Sequence, residues 1–295
     1  MVLLHIRRKI NFKILLILTF LLLIPVAISY YFTNVNYNNW IDVYESGVSD
    51  VNLESLESMI SGYNGLSYFF DFIFSSDTIL IFCLLFSLVV CLFIGSVIVN
   101  DLSDGNGNLI ISRISFKKYL RDNIVAQIIF NFAYLFTFFT GLFLLSYFLY
   151  GDLGLEGGIS TNYGLMIQGE SLLSYIGITA IQVLNLSIII TLITILSSLI
   201  IVFIKNKYIV QMFPLLYYFI TLILGSTIGN INNLLANIFT VFILDVQIHV
   251  IVEEYLTRET TGTFFNSIVF IVTLSVINMV LYRMNINTYG KDYIL

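Results

Sequence analysis

Apolar residues arrive along this chain in long blocks and not in alternation. Six blocks reach the roughly 20 residues that an α-helix needs to cross a bilayer. They cover residues 14–30, 78–99, 124–149, 175–204, 208–228 and 264–283. No block shows the period of two that marks a strand. The pattern predicts an all-α integral membrane protein with six spanning helices. The third and fourth blocks are long enough to imply tilt or an added interfacial turn. Pro25 and Pro214 lie inside the first and fifth blocks and predict kinks there.

Charge orients the blocks. The net charge is −5, but the two signs are segregated along the chain. Arg7, Arg8, Lys9 and Lys13 precede the first block, and Arg113, Lys117, Lys118 and Arg121 separate the second from the third. Lys205 and Lys207 separate the fourth from the fifth, and Arg283 and Lys291 follow the sixth. Basic loops stay on the cytoplasmic side. Six spans with both termini cytoplasmic put all of these inside and leave only Arg258 outside. Most acidic residues then lie outside, with Asp101, Asp104, Asp122 and Asp292 as the internal exceptions.

Two segments test this count. Residues 233–252, "NLLANIFTVFILDVQIHVIV", are apolar enough to suggest a seventh span. A seventh span would move Arg283 and Lys291 outside and sink Asp245 and His249 in hydrocarbon, which is costly. A re-entrant or interfacial hairpin on the outer side, packed against protein, is expected instead. The basic start and first block also resemble a signal peptide. "PVAISYYF" is a poor cleavage site, so an uncleaved span is expected.

Composition excludes whole classes. The chain is 58% hydrophobic and 11% charged, with a mean hydropathy of +0.95. A soluble globular domain does not have this make-up. Cys83 and Cys91 share one block at i and i+8. They cannot bridge each other, and they read as inert buried thiols. No G-x-x-x-x-G-K-[ST] nucleotide loop occurs, and no Ser/His/Asp set or G-x-S-x-G. "EEYLTR", residues 253–258, resembles the first motif of membrane CAAX-type proteases, but His5 and His249 both lie upstream of it and the match is taken as chance. Asp245, His249 and Glu253 stand at i, i+4 and i+8, a spacing that puts metal ligands on one helical face. A polar face on an outer amphipathic helix explains them more simply. No enzyme is expected.

The blocks carry few polar side chains: Gln127 and Asn131 in the third, Gln182, Asn185 and Ser187 in the fourth, Gln211 in the fifth, Asn278 in the sixth. Interhelical hydrogen bonding is the expected role of each. No charged side chain falls deep in a block, which argues against a proton- or ion-coupled carrier. Phe213, Tyr217 and Tyr218, with Gln211, form a candidate substrate path, although contact with lipid is the plainer reading of the aromatics.

The polar connections differ in character. Residues 1–12, "MVLLHIRRKINF", form either an amphipathic helix lying in the headgroup layer or a positive flank that sets topology. The external loop 31–77 is acidic and has no Lys or Arg. Within it Ser49 or Asp50 is a plausible N-cap for a helix with Leu53, Leu56 and Ile60 at helical spacing. The internal stretch "NDLSDGNGNLIISRISFKKYLRDN", residues 100–123, opens with a turn rich in Gly and Asn. It continues as a sequence with an apolar stripe (Leu109, Phe116, Leu120) beside a basic one (Arg113, Lys117, Arg121). A short helix lying flat under the membrane fits this pattern, and so does an ordinary basic loop.

This arrangement resembles the permeases of ABC-2 type transporters. In that family an acidic residue and Gly end the second span, followed by a run of the form L-L-x-x-x-x-S-R-x-x-Y. The matching residues are Asp101 or Asp104, Gly105 or Gly107, Leu109-Ile110, Arg113, Ser115 and Tyr119. The chain departs from the pattern in using Asp for the commoner Glu, and in placing Arg113 and Lys117 around Ser115 in place of an Arg directly after it. The resemblance implies a single permease domain over 1–295, with an interface helix at 1–12, a coupling helix at 101–121 docked on a separate cytosolic ATPase, and a re-entrant region at 229–263. Asp101, Asp104, Gly105, Gly107, Arg113, Ser115, Lys117 and Tyr119 would contact or shape that joint.

It further implies a second permease chain, identical or similar, and ATP with Mg in the partner, this chain holding no cofactor or metal. The expected setting is a bacterial plasma membrane, with lipid and not nucleic acid as the surroundings. The cargo would be amphipathic: a peptide such as an antimicrobial peptide, a lipid or a lipid-linked polymer. A non-transporting sensor or scaffold, with function in the acidic loop, is the alternative.

Overall fold

The structure is a computed structural model. It describes residues 12–47, 53–74, 76–95, 97–103, 115–149, 172–204, 206–229, 242, 247 and 263–292. Every secondary-structure element among them is helical. In order they are α1 (Phe12–Ser46), α2 (Leu53–Ser61), α3 (Gly65–Phe74), α4 (Ser76–Val90), a π-helical segment (Cys91–Gly95), α5 (Val97–Ser103), α6 (Phe116–Leu149), α7 (Leu172–Leu199), a 3-10 turn (Ile200–Val202), α8 (Lys207–Gly229) and α9 (Thr263–Asp292). Six stretches are long and apolar enough to cross a membrane: Leu15–Ser46, Asp77–Asp101, Phe116–Phe148, Thr179–Val202, Lys207–Leu224 and Phe265–Tyr289. They correspond to the six apolar blocks, and the chain has the make-up of a multi-pass membrane protein.

Local signals set the helix ends. α1 stops at Gly47, where φ is 62°, a conformation that glycine adopts without steric cost. Asn64 caps α3. Its Oδ1 accepts from the backbone N–H groups of Leu66 at 3.0 Å and Ser67 at 3.3 Å. Ser67 Oγ accepts in turn from the Asn64 N–H at 3.1 Å, a reciprocal arrangement like a capping box. Asn206 Oδ1 accepts from the Tyr208 N–H at 2.9 Å and starts α8.

α7 is the hub. Its spanning window is 78% buried, against 11% for α8. It carries Val183, Leu186, Ile189, Ile190 and Ile193 into the core. A second core layer is aromatic. Phe69, Phe70 and Phe72 of α3 are fully buried, and α3 lies against both α1 and α6. Phe82 of α4 faces Phe72 at 5.7 Å, Phe138 at 5.2 Å and Phe139 at 5.3 Å.

The structure therefore redraws the region expected as an external loop, 31–77. α1 continues to Ser46, so 31–46 is helix. The helix expected from Leu53, Leu56 and Ile60 is present as α2, with Leu56 buried; Ser49 and Asp50 lie outside the described residues. Residues 65–74 are a core helix, and Asp71 within it is 1% exposed. A helix this short cannot span a bilayer, so a count of apolar blocks leaves it among the loops. The third block begins earlier than expected, because α6 starts at Phe116.

Hydrogen bonds fix the relative directions of the helices. Thr19 pairs with Tyr134 (2.8 Å) and Tyr30 with Ser146 (2.5 Å), so α1 and α6 are parallel. Gln127 Nε2 donates to Ser198 Oγ (2.7 Å) and Asn131 Nδ2 to Thr194 Oγ1 (3.1 Å), so α6 and α7 are antiparallel. Asn278 Nδ2 donates to the Leu192 carbonyl (3.0 Å) and Asn285 Nδ2 to the Leu199 carbonyl (2.8 Å), so α7 and α9 are parallel. α1 and α9 consequently run in opposite senses.

Candidate functional site

One end of the bundle gathers four of the residues that the sequence singled out: Asp101, Ser115, Lys117 and Tyr119. Ser115 caps α6, with its carbonyl accepting from the N–H groups of Lys118 and Tyr119, both at 3.0 Å. Its Oγ also accepts from the Lys118 N–H at 3.4 Å. One turn on, Tyr119 is fully buried. Its hydroxyl donates to Asp101 Oδ2 at 2.6 Å, a bond to the last turn of α5. The two ends of the connection between α5 and α6 are thus tied to each other and set into rigid helices.

The tie extends sideways. Phe116 meets the Tyr289 ring of α9 at 5.7 Å. Tyr289 in turn donates to the Ile201 carbonyl, at 3.4 Å, in the 3-10 turn after α7. Four elements therefore meet around Tyr119, Phe116 and Tyr289. Lys117, Lys118 and Arg121 of α6 are exposed beside this junction, as are Lys207 of α8 and Arg283 of α9. Arg121 lies 3.5 Å from Asp122, but it is 62% exposed, and such a surface pair contributes little. The face presents exposed cations on anchored helices, which suits an acidic protein surface or anionic headgroups.

Of the other residues expected here, Asp104, Gly105, Gly107 and Arg113 lie outside the described residues. The segment 116–121, read from sequence as part of a flat helix, forms the opening turns of α6. The 1–12 helix (apart from Phe12, which opens α1), Asp245, His249, Glu253 and Arg258 also lie outside the described residues.

The candidate path residues occupy the first half of α8. Phe213, Tyr217 and Tyr218 pack partly buried against the core. Tyr217 donates its hydroxyl to the Phe242 carbonyl at 3.0 Å, and Tyr218 faces Phe219 at 5.5 Å. Gln211 is half-buried. These aromatics look inward more than the plain lipid-facing reading implies, but they do not join the Asp101–Tyr119 junction.

The opposite end is acidic. Asp42, Glu45, Glu54, Glu57 and Asp77 are exposed there. Burial, and then the charge of Asp71, push the Tyr63 hydroxyl well above the ordinary tyrosine range.

Between the two ends runs a polar seam on α7. Asn131 also donates to Thr191 Oγ1 at 3.2 Å. Asn185 Nδ2 reaches the Gln247 carbonyl at 3.2 Å, which seats that position of the 229–263 region against α7. Sequence reading anticipated Gln127, Asn131, Asn185 and Asn278 as interhelical donors. It missed Asn285, although its heptad spacing from Asn278 marks the same helix face. Replacing Asn131 with leucine removes the bonds to Thr191 and Thr194, and is expected to lower stability by about 1–2 kcal/mol. Thermal unfolding of the detergent-solubilised chain measures this, and an unchanged midpoint would show the seam to be energetically idle. No family profile, no curated protein and no solved structure matches the chain.

Proposed function

We propose that the chain is the membrane subunit of an ATP-driven exporter, powered by a cytosolic ATPase that docks where α5 turns into α6. One observation carries this reading. Tyr119 and Asp101 clamp the two ends of that connection at 2.6 Å. Force applied to the connection enters α5 and α6 directly and, through Phe116 and Tyr289, reaches α9 and the end of α7. A free topogenic loop needs no such clamp.

Other features support the reading. The chain has no nucleotide-binding loop of its own, so energy from ATP must come from a partner. The described exposed cations lie toward the clamped end and the exposed acids toward the other, which favours a cytoplasmic clamp under the positive-inside rule. Gln247 is fully buried and Phe242 is tied to α8, so these two positions lie against protein, as a re-entrant hairpin requires. A second permease chain completes the path, since one six-span bundle is too small to enclose a wide channel alone. An amphipathic cargo, with an antimicrobial peptide first and a lipid or lipid-linked polymer next, suits a bundle whose six spanning helices carry no charged side chain near their middles. A bacterial plasma membrane is the proposed location.

The test is a gentle detergent pull-down of the tagged chain, with mass spectrometry of the proteins retained. The expected result is a soluble protein carrying a Walker A sequence, lost from the variant Lys117→Glu/Arg121→Glu while that variant keeps the parental unfolding midpoint. Recovery of no ATPase would overturn the exporter reading and favour a sensor or scaffold acting through the acidic end.

A further inference from the structure

Two interruptions of regular helix pack against α7. Pro214 lies inside α8. A proline has no N–H, so the carbonyl four residues earlier loses its helical donor. Here that carbonyl belongs to Val210, which is fully buried and cannot turn to water. In hydrocarbon an unmet carbonyl is costly, and helices that keep a proline there find a substitute donor on a neighbour. The hydroxyl of Ser197, itself fully buried on α7, supplies it: Ser197 Oγ donates to the Val210 carbonyl.

The second interruption is the π-helical segment Cys91–Gly95, which adds an extra residue to one turn of the second span. It packs against both α7 and α8. Cys91, its first residue, is fully buried. The Ser197 bond therefore ties α7 to the proline break of α8, and the π segment packs against both of these helices. Regular helix lies on either side of each interruption.

We propose that Ser197 latches a hinge at Pro214, holding the two halves of α8 in one relative orientation against the π segment. When the Ser197 bond breaks, the Val210 carbonyl has no helical partner to fall back on, and α8 bends at Pro214 toward whatever donor replaces it. The inference stands apart from the exporter reading: it concerns which bond sets the shape of α8, in any multi-pass protein with these residues.

A double-mutant cycle with a distance readout tests it on the full chain. Pro214→Ala restores the missing N–H, so Val210 becomes satisfied within α8 and Ser197 becomes redundant. Ser197→Ala is expected to lower the unfolding midpoint by roughly 2–5 °C in the parental chain. In the Pro214→Ala background the same change should cost less than half of that. Spin labels at Lys207→Cys and Ile223→Cys, both exposed positions, flank the hinge, whereas the native thiols are buried. The distance distribution is expected to broaden or shift on Ser197→Ala and to stay narrow when Pro214→Ala is also present. Equal losses of midpoint in the two backgrounds, or a distribution indifferent to Ser197→Ala, would overturn the latch and leave Ser197 as a packing residue.

Discussion

Tyr119→Ala is expected to destabilise the folded chain by about 3–5 kcal/mol, the range for removing a large buried ring. Tyr119 is fully buried, its ring lies 6.4 Å from Phe116, and its hydroxyl holds Asp101. Truncation opens a cavity and releases the clamp together. Tyr119→Phe separates the two. It keeps the ring and removes only the bond to Asp101, at a cost of about 1 kcal/mol. That is modest for a carboxylate partner, because Asp101 is half-exposed and water screens the bond. If the clamp transmits force, Tyr119→Phe should leave folding and ATPase recovery near the parental values and still depress transport in reconstituted vesicles. Thermal unfolding and pull-down measure the first pair, and cargo flux the last. A Phe variant that transports at the parental rate would reduce Tyr119 to a core residue.

The second large effect is expected at Phe82. It is fully buried and meets the rings of Phe138, Phe139, Phe72 and Phe86 at 5.2, 5.3, 5.7 and 6.4 Å. In a bilayer the separated helices would place Phe82 in lipid, so transfer from water contributes nothing. The loss on Phe82→Ala is instead the dispersion contacts and the void left behind, about 3 kcal/mol. Phe82→Leu refills most of that volume and should recover more than half. Unfolding midpoints of the two variants decide this. An alanine variant as stable as the parent would mean that the layer between α3, α4 and α6 closes around the gap.

The existence of six spans was legible because hydrocarbon demands long apolar blocks and little else. What the block pattern cannot show is how far a helix continues once it leaves lipid. Asn34, Tyr37, Asn38, Asn39 and Trp40 read as loop, yet they extend α1, where the Tyr37 ring packs, tilted, against Tyr63 at 5.2 Å and Tyr68 bonds Asn34 at 3.4 Å. That continuation depends on partners in α3 and in the turn before it, which no local window contains. At the candidate site, the motif named both Asp101 and Tyr119. Their bond was not readable, because it closes across 18 residues. Ser115 was read as a family position, while its plainer duty as the cap of α6 emerges only once the helix start is known. The Ser197–Val210 bond had a local signal in Pro214, which announces an unmet carbonyl without saying which neighbour meets it.

The polar seam on α7 also bears on how the chain is made. Helices enter the bilayer in the order of synthesis. Gln127 and Asn131 of α6 arrive before Ser198, Thr191 and Thr194 of α7 exist. Until α7 follows, two amides sit among acyl chains without their lasting partners, each at a cost of a few kcal/mol. Asn278 and Asn285 meet the reverse situation, since the carbonyls they need are already in place when α9 emerges. Biogenesis therefore has an exposed interval between release of α6 and release of α7, and Asn185 waits in the same way until Gln247 follows. A nascent chain that stalls there offers the membrane's quality-control machinery a polar seam to grip, and one that passes it has its template for the remaining helices.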